Sequence, residues 1–242
     1  MRKSIPFLKV IQGSLAGIAP IDSGTLGHRV YAGLRDFLMA GQLQPGRKLT
    51  LRELAAALNV SPMPVREAVR RLSAEGALEM LPNRRIRVPL MTRARFRELL
   101  RIRVALEGLA VEEAARRIRG DDVDRMEELN RGFAAEMGGR GADGARLWRV
   151  NKDIHFLAYD AAGMPALLAL IEGLWLQIGP VLHYSLRMRA DANARGGNPA
   201  PDWHKRLIQG LRRRDATSAR RALVGDLTSA GDQILAEGEL PD

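Results

Sequence analysis

The segment 50–72 constrains this chain more than any other part of it. Thr50-Leu51-Arg52-Glu53 is a capping-box sequence, in which the Thr50 hydroxyl accepts from the amide of Glu53 and the Glu53 carboxylate reaches back to the amide of Thr50. The helix it opens runs to about Leu58, with Leu51, Leu54, Ala55 and Leu58 on its inner face. Asn59-Val60 makes a tight connection, and Ser61-Pro62-Met63-Pro64-Val65-Arg66 begins a second short helix at once. Pro62 suits the first helical position because its fixed φ matches the helix and its missing N–H is not needed there. Ser61 is placed to accept from first-turn amides. Val65, Val69 and Leu72 share one face, while Arg66, Arg70 and Arg71 project elsewhere.

The flanks extend this pattern. Residues 26–40 read as a helix with Val30, Leu34, Phe37 and Leu38 facing inward, Ser23 or Thr25 near its start, and a turn at Gln44-Pro45-Gly46 after it. Ala77-Leu78-Glu79-Met80-Leu81 and Ile86-Arg87-Val88 read as two strands around Pro82-Asn83-Arg84-Arg85, a hairpin with arginines at its tip. Three helices and a wing make a winged helix-turn-helix over residues 25–90, whose second short helix lies in the major groove. Charge agrees. Of a net +10, residues 1–90 carry 14 Lys+Arg against 6 Asp+Glu, and residues 91–242 carry 24 against 22, so the excess sits where a polyanion would bind. Residues 1–24 read as a flexible extension, with no convincing signal-peptide cleavage site.

The remainder, 91–240, shows no strand pattern. Residues 92–120, 122–140, 146–162, 165–189, 202–213 and 215–237 read as six helices separated by Gly-, Asp- or Pro-containing joints, an all-α bundle. The fold class expected is therefore mainly α, a winged head followed by a helical bundle. The chain has no cysteine, which excludes disulfides, thiolate metal sites and a cysteine nucleophile and fits a cytoplasmic location. The apolar run 164–186 contains Glu172, Gln177, Pro180 and His183, so it reads as a buried core helix and no membrane partner is expected.

Polar residues interrupt the apolar stripes of the bundle. Asn151 and His155 lie four apart on the inner face of one helix, His204 follows Trp203 on the next-to-last, and Asp226 is flanked by Leu223 and Leu227 on the last. Each alone reads as a satisfied buried polar residue. Together they supply two imidazoles, a carboxylate and an amide oxygen, a set suited to Zn²⁺, Ni²⁺, Mn²⁺ or Fe²⁺. Arg103 and Glu107, four apart on the first bundle helix, form either an internal ion pair or part of a ligand site. His183 is open between packing and ligand contact.

These motifs carry a resemblance. Leu51-Arg52-Glu53-Leu54-Ala55 with Val60-Ser61-Pro62-Met63-Pro64-Val65-Arg66-Glu67-Ala68-Val69-Arg70-Arg71-Leu72 and Glu75-Gly76 resembles the DNA-binding domain of GntR-superfamily transcription regulators. The resemblance implies that Arg52 and Arg66 reach base edges or adjacent phosphates, with Arg70 a further candidate and Ser61, Pro62 and Met63 at the leading end of the recognition helix. Arg84 and Arg85 tip the wing; the family usually has glycine where Arg85 stands, so Arg85 is expected on a phosphate or in the minor groove. Asn151-x-x-x-His155, Asp202-Trp203-His204 and Asp226-Leu227 resemble the helical FCD effector domain of the FadR branch, with Asp226 where histidine is usual. That resemblance implies a bound divalent metal, an arginine at Arg103 facing a small carboxylate effector, and repression relieved by the ligand; a homodimer on an inverted-repeat operator is expected because a single wing domain would contact too few phosphates and bases. The competing classes are a metal-dependent enzyme built on the two histidines and the carboxylate, and a nonspecific architectural DNA binder.

Overall fold

The computed structural model describes residues 26–41, 43, 45–82, 85–139, 143–192, 200–238 and 240–242. The expected extension 1–24, the cap candidates Ser23 and Thr25, the wing-tip residues Asn83 and Arg84, and most of the joint 191–201 lie outside them.

The head contains α1 (Leu26–Met39), β1 (Lys48–Thr50), α2 (Leu51–Ala57), α3 (Pro62–Ala74), β2 (Glu79–Met80) and β3 (Arg85–Arg87). The capping box forms as its sequence dictates: Glu53 N donates to Thr50 Oγ1 (3.1 Å) and Thr50 N to Glu53 Oε2 (2.6 Å). Asn59 turns the chain between α2 and α3 with φ +51°, a left-handed conformation that asparagine tolerates better than most side chains. Ser61 and Pro62 occupy the expected N-cap and first helical positions, but the Ser61 side chain makes no capping bond. The sheet has three strands where the sequence pattern showed two. β1 pairs antiparallel with β3, Leu49 opposite Ile86, and β2 covers the other edge of β3.

α1 lies across α3. Val30, Tyr31, Leu34, Leu38 and Met39 are buried, whereas Phe37, expected inside, sits off the end of that stripe and is 38% exposed. Tyr31 donates to Glu75 (2.8 Å), and the Arg71 guanidinium stacks 3.7 Å over the Tyr31 ring. Arg71 thus clamps the two helices together and is not merely solvated. Arg87 is likewise occupied, donating to Glu79 across the sheet (2.9 Å).

The bundle contains α4 (Arg93–Arg117), α5 (Gly120–Gly138), α6 (Gly144–Ala161), α7 (Pro165–Ala192), α8 (Ala200–Arg212) and α9 (Ala216–Glu237). Thr92, Asp143 and Asp215 cap α4, α6 and α9 through their side chains, and α9 ends at Gly238 with φ +74°. α4 stops before the expected residue 120 because Ile118 is extended (ψ 139°). α9 packs along α4 and α8, with Gly210 at the α8 crossing: a Cβ there would lie 2.6 Å from the Ala219 amide nitrogen. Over Pro165–Leu186, α7 is long and apolar enough to cross a membrane, and it packs one side against α1, α4 and α6 while Leu170 stands exposed.

Head and bundle are docked together. Arg35 of α1 pairs with Glu172 of α7 (2.7 Å), and Arg95 donates to Gln177 (2.9 Å), whose side chain also lies against Gly76. One continuous hydrophobic cluster includes Val65, Leu72 and Leu38 of the head and Trp148, Ile154 and Leu207 of the bundle. A second cluster packs Met91, between head and bundle, against Phe96, Leu99, Ile178, Val181 and Ile234.

Candidate functional site

The polar residues on α4, α6 and α9 meet at one small interior space. Its wall includes Arg103, Trp148, Asn151, His155, Trp175, Leu182, Leu186, Asp226 and Ile234, around a cavity of about 60 Å³. That is room for roughly four waters. His155 and His204 are 1% and 0% exposed, and Asp226 is 7% exposed. His155 Nε2 lies 3.2 Å and His204 Nε2 3.9 Å from Asp226 Oδ2, and one donor atom from each of the three residues falls within 4.8 Å of the others. The imidazole rings stand nearly perpendicular, 5.2 Å between centroids.

Each imidazole is oriented from behind. His155 Nδ1 is 3.0 Å from the Tyr159 hydroxyl, and His204 Nδ1 is 3.2 Å from Asn130 Oδ1. The Asn130 contact calls for a proton on His204 Nδ1, which leaves Nε2 as a lone pair on the side of Asp226; that Nε2 has no hydrogen-bond partner. Burial drives the His204 imidazole down to about 4, with His155 adding to the shift and the Asp226 carboxylate opposing it. Burial pushes Asp226 upward, but the hydrogen bond from His155 and the neighbouring positive groups outweigh it and hold the carboxyl below its ordinary range. A neutral imidazole with an unused lone pair beside an ionised carboxylate is the protonation state a divalent cation requires. The residues present therefore fit a metal, with Asn151 on the same wall as a further oxygen donor.

Glu107 and Arg103 form the internal ion pair: Arg103 Nε and Nη2 donate to Glu107 Oε1 (2.5 Å) and Oε2 (3.2 Å). Trp175 Nε1 also donates to Glu107 (3.1 Å), as does the Tyr159 hydroxyl. Glu107 is thus satisfied by four donors, from Arg103, Trp175 and Tyr159, and is not among the residues that line the cavity. His183 is not among the wall residues either. On α7 the positions facing the cavity are Trp175, Leu182 and Leu186, and His183 is turned about a quarter of a circle away, against Gly41 and the edge of Trp148.

Tyr159, Asn130, Trp148 and Trp175 were not singled out from the sequence. Trp148, Asn151, His155 and Tyr159 recur at spacings of three and four, one face of α6, which is a signal for Trp148 and Tyr159. Asn130 has none, since it belongs to a helix 74 residues from His204.

On the head, Arg52, Ser61, Pro62, Arg66, Arg70 and Arg85 are exposed, and Met63 is 70% exposed at the leading end of α3. Val65, Ala68, Val69 and Leu72 anchor the opposite face. Arg84 lies outside the described residues.

A winged helix-turn-helix head docked on a helical domain with a buried polar cluster is the build of a DNA-binding transcription regulator. Residues 26–88 match the model of the bacterial regulatory proteins of the gntR family, and residues 98–228 match the FCD domain. The chain belongs to the GntR family and carries an FCD domain. It is 32% identical over 193 residues to the HTH-type transcriptional regulator McbR of Escherichia coli K12, covering 79% of this chain and 84% of that protein. The solved structure of E. coli McbR/YncC superimposes with a TM-score of 0.79 at 27% identity, covering 89% of this chain and 99% of that one. A crystal structure of a GntR regulator from Rhodococcus sp. RHA1 gives a TM-score of 0.70 at 23% identity, covering 87% of this chain and 97% of that one, and shares the fold. The relatives are named as transcription regulators, and this chain is a regulator and not an enzyme.

Proposed function

We propose that this regulator is a cytoplasmic homodimeric repressor of an inverted-repeat operator, controlled by a small carboxylate bound beside a divalent metal in the bundle. The unpartnered Nε2 of His204 next to His155 and ionised Asp226 carries the reading. His155, His204 and Asp226, with Asn151, would hold the ion; when bound, it supplies a Lewis acid to which a carboxylate oxygen attaches. Arg103 provides the second anchor. Its bonds to Glu107 use Nε and Nη2, so Nη1 would be the group offered to a carboxylate, and Arg103 lines the cavity. The cavity volume favours an acid of few heavy atoms.

On DNA, the exposed α3 enters the major groove. Arg66 and Arg52 are the base-edge or phosphate contacts, Arg70 and the wing's Arg84 and Arg85 contact phosphate or minor groove, and Met63 offers an apolar contact to a thymine methyl. Dimerisation is supported by the outer face of α4, where Ile102 (38%) and Leu109 (39%) stand exposed two turns apart. A two-fold dimer doubles the phosphate and base contacts of one head.

The test combines metal analysis of the purified protein with operator titrations against a panel of small carboxylates. His155→Ala and His204→Ala are expected to lose metal and carboxylate response while retaining operator binding. Full metal occupancy in both variants would remove these residues as ligands.

A further inference from the structure

The cavity and the DNA-reading head share one side chain. The Trp148 ring is part of the cavity wall and lies 5.4 Å from Trp175, centroid to centroid. Its indole N–H leaves the bundle and donates to the main-chain carbonyl of Met39, the last residue of α1. The final carbonyls of a helix have no intrahelical donor, so the end of α1 is satisfied here by a group that belongs to the bundle. α1 in turn supports the recognition helix: Tyr31, Leu34 and Leu38 share the core with Val65, Val69 and Leu72, and Tyr31 bonds Glu75.

The two tryptophans of the wall differ in where they are anchored. Trp175 is tied inside the bundle, donating to Glu107 and lying under the Arg103 guanidinium (5.0 Å). Trp148 has its polar anchor in the head. An acid of more than a few heavy atoms fills a cavity of about 60 Å³ and presses on its wall. A shift of Trp148 changes its bond to α1, whereas a shift of Trp175 does not. Gly179 of α7 leaves the gap in which this contact is made: a Cβ there would meet Trp148 Cζ2 at 3.6 Å and Met39 O at 3.7 Å, so alanine fits and a longer side chain would wedge the two apart.

We propose that Trp148 is the positioning residue through which the contents of the bundle cavity set the placement of the DNA-reading head. This rests on the cavity being the effector site, as proposed above. Coupling of this kind requires two arrangements of the indole, one of which the bound species favours.

The test measures operator affinity by fluorescence anisotropy on the full chain, in EDTA and in saturating zinc, with an operator obtained by in vitro selection. Wild type is compared with Trp148→Phe, which keeps a ring in the wall and removes the donor, and with Gly179→Leu, which wedges the same contact from α7. In EDTA, Trp148→Phe is expected to shift the operator Kd at least threefold and Gly179→Leu to shift it in the same direction. The ratio of Kd in zinc to Kd in EDTA should fall to within twofold of one in Trp148→Phe. The proposal is overturned if the variants that fold, judged by circular dichroism, shift the Kd in EDTA by less than threefold. If only one variant folds, its Kd decides. Zinc uptake by the wild type is read separately by calorimetry: no uptake removes the metal reading, and the EDTA comparison still decides the part played by Trp148.

Discussion

His204 shows how burial sets chemistry at a single residue. Its ordinary value is 6.5 and its value in the fold is about 4, so between these two pH values the unfolded chain takes up a proton that the native chain refuses. Stability contributed by this residue is therefore present above pH 6.5 and is lost as pH falls toward 4, by roughly 1.4 kcal/mol per unit, on the order of 3 kcal/mol in all. Thermal melts in EDTA from pH 7.5 to 4.5 should show that decline, and His204→Gln should flatten it. Glu107 makes a second prediction at this scale. Glu107→Ala would leave Arg103 buried and unpaired and should destabilise the protein by about 3–5 kcal/mol, measurable in urea. Ser61 makes a third: because its side chain caps nothing, Ser61→Ala should cost under about 0.5 kcal/mol, against the ~1 kcal/mol typical of a working cap. Loss of operator affinity in that variant without loss of stability would assign the hydroxyl to DNA. What the sequence revealed at this scale was local. The Thr50–Glu53 box and the α6 face carrying Asn151 and His155 are patterns of three and four residues, whereas the partner of His204 on α5 depends on how two helices cross.

At the scale of elements, the same division recurs. Helices were legible from their apolar period and their joints; the expected starts at 92 and 215 coincide with the capping residues Thr92 and Asp215, whereas the start expected at 146 falls after the Asp143 cap. β1 was not. Lys48–Thr50 is three residues long, and its hydrogen-bonding partner β3 begins 35 residues after it ends, so nothing nearby marks it as a strand. The α8–α9 crossing is another feature that only the packing reveals. Gly210→Ala raises helix propensity locally by up to about 1 kcal/mol, yet its Cβ would collide with the main chain of α9 at Ala219. The collision dominates, and the substitution should destabilise by about 1–3 kcal/mol in thermal or chemical denaturation. On α4, Ile102→Asp combined with Leu109→Asp should shift the protein toward monomer in sedimentation velocity, if that exposed face is the dimer contact.

For the whole molecule, the sequence indicated two parts with different charge but gave no account of how they join. The joint is a packed one. Leu38 and Met39 of the head are buried together with Trp148 of the bundle, and Arg35 reaches Glu172. This docking has a geometric consequence for the DNA. A reading head seated on its bundle has little freedom to swivel, so in a dimer the distance and angle between the two recognition helices are properties of the protein, and the operator must present its half-sites to match. B-DNA turns through about 34–36° with each base pair, since one helical turn takes 10–10.5 base pairs. Inserting five base pairs between the half-sites places them on opposite faces of the duplex, and affinity should fall to that of a single half-site. Inserting ten restores the angle but adds about 34 Å of separation, which docked heads cannot follow. The protein would act as a caliper, set by the contents of its cavity, and measure the spacing of its operator as well as reading its letters.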